Sequence, residues 1–585
     1  MKFSRSKRIG IILLGAVILL LVIFIFMKRS VDTLYFNARI YTLDDKNSVA
    51  NAMVVKGDRI IDVGKEQRLR AFYRATQEVD LKGKTVLPAF IDAHCHLLEF
   101  GLSKLTVDLF GSKSETEAAE RVANYLHSAP LSQGWIRGKG WDQNLWDIKK
   151  FPTSHSLDLI SKEHPIYLAR IDGHACWVNS KAMEIAHVTK RTPDPEGGRI
   201  MRDANGNPTG VFIDEAMKLI ADFVPPPSEE EMIVAVQKAS EEYLSYGVAS
   251  VQDMAIDENQ FSLYKKLIDE KELPLRIYAS IDVESPLWNQ FRKSGLLIGY
   301  GENALTVRAV KIFLDGALGS RGAALLEPYS DESDNRGITT LSADSLELLV
   351  KEAVESGFQV CIHAIGDRAN RIALDAYESV QTQKGSDLRL RIEHAQVLQE
   401  SDIPRFAKLK VIPSMQPVQC ISDMWWIESR LGYPRVKLAY PWRSLLNTGT
   451  IIAGGSDAPV ESPNPILGIY AACTRKSVSG IPHNAKDAAT QFYLTPEGIH
   501  DSSDFEDGWY GAQKMTREEA VRCFTSWAAY AAFEENLKGS LKSNMLADFV
   551  VLSDDIFTVP VEQIPDIFVE ETVIGGKNVY HSERK

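Results

Sequence analysis

The sequence predicts an α/β chain built around a TIM-like (β/α)8 barrel, on three observations. Apolar runs of strand length alternate with amphipathic stretches of helix length, a pattern that favours a parallel sheet with helical crossovers. Eight such runs can be counted, and eight units favour a closed barrel over an open sheet. Polar side chains recur at the carboxyl ends of these runs, the face on which barrel enzymes carry their sites. At 585 residues the chain has room for a barrel, an insertion and a smaller domain.

The eight runs are Val86 to Asp92, Gly247 to Asp253, Leu275 to Ile281, Val307 to Leu314, Phe358 to His363, Leu388 to Glu393, Leu409 to Met415 and Thr450 to Gly455. They place the barrel within residues 87–539. The clearest helix between them has Ser342 as its cap, with Leu346, Leu349, Val350, Ala353 and Val354 at helical spacing and Gly357 beyond its end. Residues 98–242 are far too many for one crossover. They carry Trp135, Trp141, Trp146 and Trp177 among frequent prolines and glycines, and read as an inserted subdomain.

Short strand patterns bracket the barrel. Ala52 to Val55 and Arg59 to Val63 flank Lys56-Gly57-Asp58 as a hairpin. Ala547 to Leu552, Thr572 to Ile574 and Asn578 to Tyr580 supply strands at the far end. Together, 30–86 and 540–585 are expected to form one discontinuous β-sandwich domain.

Lys2, Arg5, Lys7 and Arg8 precede an uncharged apolar run from Ile9 to Met27, closed by Lys28 and Arg29. That reaches the roughly 18–20 residues a bilayer requires. No small-residue cleavage site or lipid-bearing cysteine follows, so residues 1–29 read as a cytoplasmic tail and a single-pass transmembrane signal anchor. The excess of basic residues before the span keeps the amino terminus cytoplasmic and the globular part outside, in the periplasm if the cell is Gram-negative. A net charge of -12 and the lack of a basic stripe argue against nucleic acid as a partner. Through the anchor, the membrane is an expected partner; a homodimer is left open.

The most informative motif is Phe90-Ile91-Asp92-Ala93-His94-Cys95-His96. Residues i and i+2 of a strand share a face, so both imidazoles can converge on one point. Further along stand Lys311 in the fourth run, His363 on the fifth, His394 on the sixth and Asp457 after the eighth. Each alone has an ordinary explanation: a hydrogen-bonded core histidine, a salt-bridge lysine, a capping aspartate. Four histidines and an aspartate in barrel order are harder to assign to structure, and imidazole with carboxylate suits zinc.

These motifs resemble the amidohydrolase superfamily, specifically the family-three branch that includes N-substituted formamide deformylases. The resemblance rests on Pro88 to His96, Val310 to Ser320, Ile362 to Ala369, Arg391 to Gln396 and Gly455 to Pro459, with Gly140 to Gln143 and Asp172 to Ser180 inside the insertion. It implies one or two divalent ions, usually zinc. His94 and His96 would hold one ion and His363 and His394 a second, with Lys311 bridging as a carbamate formed with carbon dioxide. Asp457 would ligate and act as base. A mononuclear centre with unmodified Lys311 is the variant. The implied reaction is hydrolysis of a non-peptide C–N bond, amide or N-substituted formamide, by attack of metal-bound hydroxide. The alternatives are an ester or lactone hydrolase with the same apparatus, or a catalytically silent envelope scaffold.

Substrate contacts are expected from the same strand ends and from the insertion. His174 is a candidate catalytic donor to substrate or oxyanion, and Trp141 and Asp142 candidates for the mouth. Asp315, Arg321, Asp367 and Gln396 follow ligand-bearing strands and are candidates for orienting substrate or ligands.

Overall fold

The computed structural model describes residues 28–128, 134–171, 173–384, 387–433, 435–479 and 507–584. The expected anchor at Ile9 to Met27 lies outside them, and no helix among the described residues is long and apolar enough to cross a membrane. The chain forms two compact units, one of Met1–Leu97 with Ser240–Lys585 and one of Leu98–Ala239.

In the first unit, both chain ends enter one sheet. Arg29–Tyr41, Val49–Lys56, Arg59–Gly64, Tyr73–Asp80 and Thr85–Pro88 are joined there by Phe549–Leu552, Val569–Ile574 and Lys577–His581. The link is the antiparallel pairing of Thr85–Pro88 with Phe549–Leu552. The expected hairpin turns at Gly57, whose φ of +59° suits a residue without Cβ. All eight strands are hydrogen-bonded into one continuous sheet. The 13-residue strand Arg29–Tyr41 accounts for this, because it pairs with Val49–Lys56, Tyr73–Asp80 and Thr85–Pro88 in turn. Alternate residues feed separate apolar clusters, Ala52 and Val54 in one and Met53 and Val55 in the other. Both faces are therefore covered there, which is why residues 52–55 within Val49–Lys56 read as a solid apolar run rather than an alternating one.

Eight parallel strands then form a nearly closed barrel: Phe90–Cys95, Val248–Ile256, Arg276–Asp282, Leu305–Phe313, Gln359–Ala364, Arg391–His394, Ile412–Met415 and Ala453–Gly454. These are barrel strands one to eight below. The run Val86 to Asp92 proves to be two strands, because the chain changes sheets at Pro88. Ala89 N donates to Asp548 O in the terminal sheet, and Phe90 N donates to Gly247 O in the barrel. Strands six to eight start later than their apolar runs suggest, after turns with positive φ at Arg389, Lys410 and Gly449. The helix Ala343–Glu355 is capped as expected, with Ser342 Oγ accepting from Ser345 N at 3.1 Å.

Strands eight and one meet without a ladder. Asp457 N donates to His94 O at 2.7 Å, and Ser456 N donates to an Asp92 carboxylate oxygen at 2.9 Å. Gly455 permits this approach, since a Cβ there would stand 2.6 Å from His94 N. Gly455→Ala is accordingly expected to cost about 1–3 kcal/mol as overpacking against backbone. It should lower the thermal midpoint of the metal-free protein by several degrees; an unchanged melt would mean that the seam yields freely.

The second unit carries a six-stranded sheet in the order Gly198–Arg202, Pro208–Asp214, Ala175–Val178, Ile166–Arg170, Ile136–Trp141, Val107–Asp108. Trp141, Trp146 and Trp177 pack into its own core with Leu168 and Val211.

Candidate metal centre

The carboxyl ends of barrel strands one, four, five, six and eight bring His94, His96, Lys311, His363, His394 and Asp457 to the walls of one cavity of about 380 Å³. The four imidazoles are mounted alike. His94 Nδ1 faces Glu393 Oε2 at 2.6 Å, and His96 Nδ1 faces Met254 O at 3.1 Å. His363 Nδ1 faces Asp315 Oδ1 at 3.1 Å, and His394 Nδ1 faces Gln416 Oε1 at 2.9 Å. Carboxylates and carbonyls only accept, so each Nδ1 carries a proton, and Nε2 is the atom that a neutral ring offers to a ligand. This is how metal-binding histidines are oriented from behind.

Around these rings the contacts are close. Asp457 Oδ1 lies 3.4 Å from His94 Nε2 and 3.3 Å from His96 Nε2. Lys311 Nζ lies 3.4 Å from His94 Nε2. His94, His394 and Asp457 each bring a ligand atom within 4.8 Å of the others. The His363 and His394 ring centroids are 4.6 Å apart. Strict strand alternation would send His394 to the face opposite Glu393. The positive φ of +74° at His394 and +43° at Ala395 breaks that alternation. Asp457 is likewise left-handed, with φ of +61°. Such backbone is held by its surroundings at a cost, and functional sites concentrate it.

Burial dominates at two of the four histidines. It pushes the His94 pKa down to about 4, helped by the Lys311 charge, and lowers His394 still more strongly, helped by His363. Lys311 is also lowered, chiefly because it is fully buried. Burial opposes ionisation of both partners in the His96–Asp457 contact, but the hydrogen bond between them prevails, raising the His96 pKa and holding Asp457 below the usual carboxylate range. Metal binds the ionised carboxylate and neutral imidazoles, so a bound ion would take the place of the His96 proton. The donor set therefore fits a divalent ion.

Two buried groups brace the ligands. Asp92 accepts from Ser456 Oγ at 2.5 Å, Ser456 N at 2.9 Å, His94 N at 3.1 Å and Tyr243 Oη at 3.2 Å, tying strand one to the Asp457 loop. Arg391 clasps Glu393 through Nε and Nη2 at 2.8 and 3.0 Å, and donates also to Ala93 O, Ser414 Oγ and Gln252. Gln419 Nε2 donates to Asp457 Oδ2 at 2.9 Å.

Residues 77–580 match the model of the Amidohydrolase family. This chain belongs to that family. It is 33% identical to YtcJ of Bacillus subtilis over 92% of this chain and 98% of the relative. It is 27% identical to the N-substituted formamide deformylase of Arthrobacter pascens over 94% and 98% of the two chains. Among solved structures, a metal-dependent hydrolase of Pyrococcus horikoshii superposes with a TM-score of 0.73 at 28% identity, covering 90% of this chain and 99% of that one.

The amidohydrolase residues expected to contact substrate divide three ways. Gln396 lines the cavity. Asp315 is buried behind His363 and also accepts from the Ile365, Gly366 and Ala324 amides. Asp367 is buried as a loop brace, accepting from Leu326 N and Gln399 Nε2. Arg321 pairs with Asp331 and does not line the cavity.

Three further candidates belong to the second unit. Trp141 is fully buried and its Nε1 donates to Leu168 O, which corrects its assignment to a mouth: no part of the ring is open to a ligand. Asp142 caps the turn at Asn144 and holds Arg170 at 2.6 Å. His174 keeps a side chain 75% exposed, with Nδ1 2.8 Å from Asp214 Oδ1. Sequence reading missed Asp92, Glu393, Gln416 and Gln419 as supports. Only Arg391-x-Glu393, two opposite charges on one face of an apolar strand, gave a visible signal.

Proposed function

We propose that this chain is a metal-dependent hydrolase of small molecules that cleaves a non-peptide carbon–nitrogen bond, of amide or N-substituted formamide type. The observation that carries the reading is the uniform mounting of four histidines, each held through Nδ1 at the wall of one cavity that Asp457 and Lys311 also line. His94, His96, His363, His394 and Asp457 would hold one or two ions, and zinc suits these donors. A bound ion supplies Lewis acidity towards a carbonyl and water activated near neutral pH. Lys311 is buried with a lowered pKa, which favours the neutral amine that can add carbon dioxide and release a proton as a carbamate. That carbamate would turn an unsuitable ammonium into a bridging oxygen ligand.

Asp457 stays ionised and is fixed through Oδ2 by Gln419. It can therefore take the proton of the attacking water and deliver it to the leaving nitrogen, as base and then acid. The likeness to the Arthrobacter deformylase supports the choice of bond. Elemental analysis of the purified full chain, with a panel of formamides and amides, tests the reading. One or two divalent ions per chain are expected, with hydrolysis abolished by chelation and restored by zinc. A chain that binds no metal and gains no activity on zinc addition would overturn it.

A further inference from the structure

We propose that the substrate carries a cationic amine remote from the scissile bond, and that Asp423 and Glu461 on the wall of the same cavity receive it. This rests on the hydrolase reading above and narrows it to a chemical class. Asp423 ends the helix Pro417–Asp423 that follows barrel strand seven. Glu461 lies on the loop beyond Asp457 after strand eight. Both line the cavity that the candidate ligands line.

Of the buried carboxylates, Glu393 has the Arg391 guanidinium and Asp548 has Arg276, while Asp92 is met by hydroxyl and amide donors alone. Among the described residues, no lysine, arginine or histidine charge compensates Asp423 or Glu461. Asp423 has its hydrogen bonds from Tyr440 Oη and Gln396 Nε2, each 2.5 Å from Oδ2, while Glu461 has Ser422. Burial, reinforced by the neighbouring Glu461 charge, drives the Asp423 pKa up to about 7, and burial raises Glu461 as well. Two carboxylates in this state lack a positive charge, and a ligand that brings one relieves the strain of burying them.

The neighbouring surfaces favour an organic cation over a further metal ion. Both donors to Asp423 occupy the same oxygen, leaving one oxygen to face a ligand. Phe313, Leu318, Trp426 and Val460 line the cavity with the two acids. They provide apolar surface for the body of a molecule with a charged end, and an indole face suited to ammonium.

The test compares mono-formylated diamines of three to six methylenes with N-alkylformamides in which a methyl replaces the ammonium. On the zinc-loaded full chain, kcat/KM and the dissociation constant by calorimetry are read for each pair. The cationic member should be favoured at least tenfold by wild type, and the ratio should fall towards one in Asp423→Asn/Glu461→Gln. A neutral member bound as well or better, at every length, overturns the proposal, as does a cation preference that the double variant keeps. Where the double variant does not fold, the single variants Asp423→Asn and Glu461→Gln are read against the same pairs, and each should lower the ratio. The two readings also fail separately. Cation-selective binding without turnover counts against the hydrolase reading, whereas turnover without cation preference counts against this inference alone.

Discussion

Asp457→Asn is expected to lower kcat/KM on any amide this chain hydrolyses by about 10²–10⁴-fold, the range general acid–base groups supply. The substitution keeps the size of the side chain and its contact with Gln419, but it removes the ability to accept a proton. Metal content measured on the same preparation separates the two roles given to this residue. Retained zinc with lost turnover assigns the loss to proton transfer. Zinc lost together with turnover assigns it to ligation, through the oxygen that sits 3.4 and 3.3 Å from the two imidazoles of strand one. Activity within tenfold of wild type would remove Asp457 from both roles.

The largest effect on stability is expected from Arg391→Met. Arg391 and Glu393 are both fully buried, and the arginine holds the glutamate pKa well below its usual range against burial. Removing the guanidinium leaves a carboxylate uncompensated in the barrel interior, a change that costs about 3–5 kcal/mol in comparable pairs. Glu393 also orients His94 through Nδ1, so the damage should extend to the ligands. Native-state hydrogen exchange of the barrel amides reads the opening free energy directly. Arg391→Met/Glu393→Gln should recover part of the loss, because no charge is then stranded. A change below about 1 kcal/mol in the single variant would contradict the buried-pair account.

Much of the barrel was legible because its signal is local. Apolar runs bounded by turns are written into consecutive residues, and Ser342 or Gly57 act on near neighbours. The ligand candidates were legible because His94, His96, Lys311, His363, His394 and Asp457 lie at or near the ends of such runs. The supports were much less so. Asp92 meets Ser456, and Glu393 meets His94, across hundreds of residues, and neither partner carries a pattern that points to the other. The run around Pro88 misled because apolar character says nothing about which sheet a strand joins; a missing amide and the partner strand near residue 549 decided it. Trp141 misled for a related reason. An aromatic beside a polar motif looks the same in sequence whether it faces a ligand or its own core.

The pairing of Thr85–Pro88 with Phe549–Leu552 bears on how the molecule is made. Thr85–Pro88 leads within two residues into the strand that carries His94. Its neighbour emerges about 460 residues later, which at about 5–20 residues per second is on the order of half a minute to a minute and a half of synthesis. Throughout that interval one edge of an apolar strand lies open beside the first ligand strand. Assembly of the site is thereby coupled to completion of the polypeptide, and a message truncated near its end yields a chain that possesses every candidate ligand but lacks the strand that supports the first of them.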